Sequence, residues 1–292
     1  MVRQSYVEKC LSRMRKWMAL RGLAPNSVST YVRCARQFLA HVDRTLATVK
    51  RTDIEGYLHT LVDKAHSPGT RNVQLGAIRC LLLSTVRRDP SATIPRAKVP
   101  RVVPQILSGT EVARLLAATT SLKYRAIFML AYGAGLRVGE ITTLDTSDLD
   151  SQRMLIRVRE GKTGQRYVMM SPRLLAALRR YWKAYRPPGT ELFPGYAKQR
   201  AGTQLSRESI HRVLAKAARA AGIKKHVSPH TLRHCFATHL LESGANVRTV
   251  QLLLGHAYLE TTAKYLHLTT AQLCQVPSPL DLIGTPQGTV LG

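Results

Sequence analysis

The chain has 292 residues, 45% of them hydrophobic, which suffices for about two domains with real cores and excludes wholesale disorder. Its 44 Lys and Arg against 17 Asp and Glu give a formal net charge of +27, and both parts share it: residues 1–105 carry net +13 and the remainder net +14. That even split points to a polyanionic partner gripped along the whole chain rather than to a basic tail, and the lack of any run of about 18 apolar residues excludes a membrane-spanning helix.

Residues 1–89 read as four amphipathic helices. The first carries Val7, Leu11, Met14 and Met18 at near-helical spacing and stops at Gly22. The second starts at Pro25 and Asn26 and lines up Val28, Tyr31, Val32, Ala35, Phe38 and Leu39. The third has Thr52 as its expected cap, followed by Ile54, Leu58, Leu61 and Val62; "SPGTRNVQLGAIRCLLLSTVRR" supplies the fourth. Residues 90–107 hold Pro90, Pro95, Pro100 and Pro104 together with Arg96, Lys98 and Arg101, and so read as an extended basic linker.

A second domain opens at Ser108, where "SGTEVARLL" is a helix-start signal. "YRAIFMLAYGAG" is a nearly continuous apolar helix broken by Gly133 and Gly135, and "LRVGEITTL" resumes as a short helix. "MLIRVRE" and "RYVMMS", separated by "GKTGQ", predict a hairpin with Lys162 at its tip. Three further helices follow: Ser206 to Gly222, then Ser228–Pro229 to Gly244, then "NVRTVQLLLGH". The expected fold is mainly α with a small antiparallel sheet. The N-terminus "MVRQSYVEKCLSRMRKW" lacks the apolar stretch of a secretion signal. Cys10, Cys34, Cys80, Cys235 and Cys274 are scattered without a CxxC and read as reduced thiols of a cytoplasmic protein.

Several positions invite chemistry. In "SPHTLRH", His230 and Arg233 stand three residues apart on one face at a helix N-terminus, where free N–H groups and the helix dipole favour a phosphate. Taken alone, the pair is equally a capped helix with a solvent-facing arginine. Arg137 follows the Gly133/Gly135 break and can either reach a ligand or pair with Glu140. Lys162 alone is an ordinary turn lysine. "HTLRH" has an HxxxH spacing beside Cys235 and His239, but a zinc protease needs Glu where Thr231 stands; His234 and His239 are assigned to packing or to supporting the site residues from behind. "GAGLRVGE" is not a phosphate-binding P-loop.

The ordered set Arg137 in "GAGLRVGE", Lys162 in "GKTGQR", His230 and Arg233 in "HTLRH", His256 in "LLGH" and Tyr265 in "TTAKYLH" closely resembles the catalytic signature of the tyrosine recombinase (phage integrase) family, most of all its Xer-type members. The resemblance spans the chain. It implies a SAM-like four-helix core-binding domain over 1–89, the linker over 90–107, a mixed α/β catalytic domain over 108–270 and a C-terminal tail over 271–292. It implies a site-specific recombinase or integrase that cleaves and rejoins double-stranded DNA through a 3′-phosphotyrosyl intermediate, without metal, ATP or other cofactor. The partners implied are duplex DNA and three further subunits, as a homo-tetramer or a hetero-tetramer with a second recombinase. "LTTAQLCQVPSPLDLIG" corresponds to the element that docks on a neighbouring subunit.

The physical chemistry of each residue agrees with that implication. A phenol is a weak nucleophile at neutral pH until cations favour the phenolate, so Tyr265 needs positive charge around it. Arg137 and Arg233 would hold the non-bridging oxygens with planar forks, each lost donor costing about 3 kcal/mol. Lys162 would protonate the departing 5′-oxygen, and His230 and His256 would bond the phosphate and handle the tyrosine proton. Tyr132, Tyr167 and Tyr181 are rejected as nucleophiles, the first as part of a buried run and the second as a strand residue; Tyr258 lies too near His256 in sequence. Two other readings remain open: a monomeric type IB topoisomerase-like enzyme and a non-catalytic DNA-binding protein of the same fold.

Overall fold

The computed structural model describes residues 2–42, 44–100, 104–159, 165–195 and 205–255. The chain divides into two compact units, Met1–Val102 and Val103–Gly292.

Four helices form the first unit: α1 (Val2–Leu20), α2 (Pro25–His41), α3 (Arg51–Asp63) and α4 (Pro68–Thr85). Their apolar stripes meet in a core containing Leu11, Met14, Met18, Phe38, Leu46, Ile54, Ile78 and Leu81, all fully buried. Phe38 packs edge-on to Tyr57 with ring centroids 5.3 Å apart, a geometry favoured by the ring quadrupoles. Two details depart from the sequence reading. Helix α3 begins a residue before Thr52, with the Asp53 carboxylate accepting from Lys50 N at 2.8 Å, and Tyr57, rather than the 46%-exposed Val62, completes its inner face.

The proline-spaced segment is not free along its length. Arg79 on α4 donates to the carbonyls of Ser91 (2.8 Å) and Ile94 (2.9 Å). Asn72 and Ala97 exchange two hydrogen bonds of 2.8 Å, and Ile94 is buried in the first core. Prolines deny this stretch a helix, so side chains of α4 satisfy its backbone instead. At the other end Leu107 is fully buried in the second core, and its N–H donates to Cys235 Sγ at 3.2 Å.

The described residues of the second unit are helical with one small sheet. Helix α5 (Gly109–Ala118) starts on a reciprocal cap: Ser108 Oγ accepts from Glu111 N, and Glu111 Oε2 from Ser108 N at 2.7 Å. Helix α6 (Leu122–Gly133) is buried nearly all round, with Tyr124, Ala126, Ile127, Phe128, Leu130 and Ala131 inside. A single turn, α7 (Val138–Ile141), follows. Strands β1 (Leu149–Asp150), β2 (Leu155–Val158) and β3 (Arg166–Met169) form an antiparallel sheet in the order β1-β2-β3, with Leu155 opposite Met169 and Val158 opposite Arg166. Helix α8 (Pro172–Tyr185) has no counterpart among the elements read from the sequence, although Ser171 caps it by accepting from Leu174 N and Pro172 opens it. It seats Leu174, Leu178 and Tyr181 against α6.

Three helices complete the described chain: α9 (Arg207–Ala220), α10 (Pro229–Glu242) and α11 (Val247–Leu254). Helix α11 rests on α10 through a small separate core of Phe236, Ala237, Leu241, Val250 and Leu254. Among the described residues no helix is long and apolar enough to cross a membrane.

Candidate active site

Of the six side chains singled out, Arg137, His230 and Arg233 fall within the described residues. Lys162, His256 and Tyr265 lie outside them, as do Tyr258 and the segment proposed to dock on a neighbour.

Arg137 and Arg233 are separated by 96 positions and converge on one carboxylate. Arg137 is the residue before α7 in extended backbone, and it is tied at both ends to Glu140 three residues on. Its N–H donates to Oε2 and its Nη1 to Oε1, both at 2.8 Å. That i,i+3 spacing brings the two onto one side of a helical turn. Arg233 comes from the buried side of α10 with its side chain 5% exposed. Its Nη1 donates to the Gly135 carbonyl at 2.5 Å and its Nη2 to the Leu254 carbonyl at 2.6 Å, while Nη1 stands 3.9 Å from Glu140 Oε2. Arg137 is thus both things the sequence left open: paired with Glu140, and 30% exposed with N–H groups to spare.

Gly135 makes this convergence possible. Its φ of +64° is left-handed, and a Cβ there would stand 2.5 Å from the Phe236 ring. Only glycine fits both conditions, and the resulting backbone path aims the Gly135 carbonyl at Arg233.

His230 occupies the second position of α10, whose first turn is fixed by Ser228 Oγ accepting from Thr231 N at 3.2 Å. Its outer face is exposed. Loss of water on the protein-facing side lowers its pKa below the ordinary histidine range, and the positive charges of Arg233, Arg137 and His211 lower it further. The imidazole is therefore neutral at pH 7 and can accept a proton.

The site also holds a residue that the sequence reading did not single out. Arg166, the first residue of β3, donates Nη1 and Nη2 to the two oxygens of Glu140, each at 2.9 Å, and Nε to the Leu253 carbonyl at 3.0 Å. Burial pushes the Glu140 carboxyl up, but the hydrogen bonds and charges of Arg166 and Arg137 outweigh it and hold the group below the usual carboxylate range. Three guanidinium groups around one carboxylate leave a net charge of about +2, a setting for an anion. The sequence signal for Arg166 was weak, because a basic residue at the start of a strand reads as solvated.

The remaining candidates are structural. Cys235 is fully buried, and the His239 ring pairs with the Tyr132 hydroxyl at 2.9 Å. Burial raises the Tyr132 phenol above its ordinary pKa; Tyr181 is buried with its hydroxyl donating to the Leu192 carbonyl at 2.9 Å, and Tyr167 faces outward, 54% exposed. Among the described residues no three His, Cys, Asp or Glu side chains stand close enough to share a metal ion.

Residues 105–272 match the phage integrase family, and residues 10–91 match the N-terminal SAM-like domain of phage integrases. The chain is 41% identical over 282 residues to a putative integrase/recombinase, y4qK, of Sinorhizobium fredii, covering 95% of this chain and 90% of that one. It is 35% identical over 273 residues to the tyrosine recombinase XerD of Oceanobacillus iheyensis, covering 87% and 91%. A similar fold is seen in a lambda integrase tetramer bound to a Holliday junction, with a TM-score of 0.71 at 19% identity, covering 88% of this chain and 76% of that one.

Proposed function

We propose a mechanism from one premise: the chain belongs to the phage integrase family and is a tyrosine recombinase, a site-specific enzyme that cleaves and rejoins DNA strands. Tyr265 is the nucleophile. Its phenol oxygen attacks the scissile phosphorus, the 3′-phosphotyrosyl bond forms as the bond to the 5′-oxygen breaks, and the energy is kept for rejoining. Arg137 and Arg233 neutralise the charge that grows on the non-bridging oxygens. Lys162 gives its proton to the departing 5′-oxygen. His230 and His256 bond the phosphate and take up the tyrosine proton. Duplex DNA is the substrate, four subunits act together as a homo-tetramer or with a second recombinase, and the work is done in the cytoplasm.

The observation that carries this reading is the meeting of Arg137 and Arg233 on Glu140, with His230 close enough for both guanidinium charges to depress it. A part-exposed Arg137 guanidinium and an exposed His230 imidazole beside the buried Arg233 suit the charge that grows on a phosphate under attack.

A pool of nicked duplexes with randomised sequence, trapped with detergent and resolved on a denaturing gel, tests the mechanism. The unaltered chain is expected to form a covalent protein–DNA adduct and Tyr265→Phe none. No adduct on any duplex supports a binding protein instead. Relaxation of supercoiled plasmid lacking the captured sequence supports the topoisomerase-like alternative.

A further inference from the structure

Arg166 takes no part in the chemistry above, yet all three nitrogens of its guanidinium group donate hydrogen bonds. Its side chain is 10% exposed and spans two elements. Three consecutive carbonyls at the end of α11 accept from three arginines of different elements: Leu253 from Arg166 at 3.0 Å, Leu254 from Arg233 at 2.6 Å and Gly255 from Arg137 at 3.4 Å. His256 is the next residue in the chain.

The bond inventory of Glu140 explains what Arg166 contributes. An ionised carboxylate has about four acceptor positions. Glu140 uses them on Arg137 N, Arg137 Nη1, Arg166 Nη1 and Arg166 Nη2, two bonds to each oxygen. The carboxylate is full, so Arg137 can engage it through one guanidinium nitrogen only. Without Arg166, Glu140 would be free to take Arg137 in a two-pronged pair, the geometry that arginine and carboxylate prefer, and the fork would turn inward.

We propose that Arg166 is a positioning residue for strand cleavage: by filling Glu140 and fastening the last turn of α11, it keeps the Arg137 guanidinium open toward the DNA phosphate. The role rests on the cleavage mechanism proposed above. Lysine cannot substitute, since an ammonium is a point donor that neutralises charge but cannot fork onto two oxygens and reach a carbonyl as well.

The test uses the full chain and the duplex captured from the randomised pool. Dissociation constant and single-turnover rate of adduct formation at saturating duplex are measured separately. Arg166→Lys is expected to bind within threefold of the unaltered chain and to form adduct about 100-fold more slowly. A rate within threefold of the unaltered chain overturns the proposal, as does a loss confined to binding. If the lysine variant does not fold, the double variant Arg166→Gln/Glu140→Gln, which removes the two charges of that ion pair together, decides. A role limited to charge balance predicts full recovery of the rate in the double variant, whereas positioning predicts that it stays slow. Absence of adduct with the unaltered chain overturns the cleavage mechanism itself, and the positioning role with it.

Discussion

The two units use the same residue in opposite ways. In the first, two arginine pairs lie on the surface: Arg36 pairs with Glu8 with both side chains about half exposed, and Arg51 pairs with Glu55 at 50% and 35% exposure. In the second, Arg166, Arg233 and Glu140 are 10%, 5% and 5% exposed and fully engaged. Exposed pairs stabilise little, because water screens them and two long side chains must be held still. They shape the field that draws in a polyanion. Buried ones are costly to desolvate and tolerable only when every donor finds an acceptor. A net charge of +27 therefore points to a nucleic-acid partner but not to a site; the site is where the chain has buried charge at a cost.

Removing the acceptor from the buried cluster is the strongest way to break this comparison. Glu140→Gln keeps the shape but leaves Arg166 and Arg233 in a nearly dry pocket with no counter-charge. Such a deletion is expected to cost about 3–5 kcal/mol. The measurement is the urea midpoint from Trp182 fluorescence in a Trp17→Phe background, and a loss below about 1 kcal/mol would mean the cluster is wetter than its geometry implies. The pH dependence has a definite sign. The Glu140 carboxyl is lower in the folded chain than in the unfolded one. Its contribution is therefore present above about pH 4.5 and fades as pH falls through the folded value, so the gap between the two proteins narrows in acid.

Lys123 sharpens the comparison from the other side. It is a buried cation, 4% exposed, whose ammonium donates to the Pro194 carbonyl, and burial pushes its pKa down to about 8. Between about pH 8 and the unfolded value near 10.5 the unfolded chain binds more protons, so stability rises with pH across that window. Lys123→Met is expected to abolish this rise and to leave stability at pH 7 unchanged or higher by about 1–2 kcal/mol. A loss of more than about 2 kcal/mol at pH 7 would show that the bond to Pro194 outweighs the desolvation of the ammonium.

Elements with strong periodicity and caps were legible in the sequence: α4, α5, α9 and α10 begin at Ser67, Ser108, Ser206 and Ser228, and each serine side chain accepts a backbone N–H as its motif implies. Helix α8 carries the same signals, a Ser171–Pro172 start and Leu174, Leu178 and Tyr181 at helical spacing opposite a face of Arg173, Arg179, Arg180 and Lys183. The site was legible in part. Arg137, His230 and Arg233 could be singled out by motif, yet only the fold reveals that Arg233 faces inward rather than toward solvent. Arg166 was not legible, since its role depends on Glu140 and Leu253, which are 26 and 87 positions away. Long-range bonding of this kind leaves no local pattern.

Glu55→Ala supplies the other pole of the comparison. Arg51 and Glu55 sit one turn apart on α3, with Nε 2.7 Å from Oε1, a geometry as close as any around Glu140. If distance alone set the energy, the two sites would respond alike. Solvent decides otherwise: at 50% and 35% exposure the ions keep most of their hydration, and pairs of this spacing contribute about 0.2–0.5 kcal/mol, diminishing with salt. Arg51 also retains its bond to Thr93 at 3.0 Å when the glutamate is gone, and alanine is the better helix former. Urea unfolding of the full chain at low and high salt should therefore place Glu55→Ala within about 0.5 kcal/mol of the parent in both. A loss above about 1 kcal/mol that persists at high salt would place this pair with Glu140 and erase the distinction between the two units.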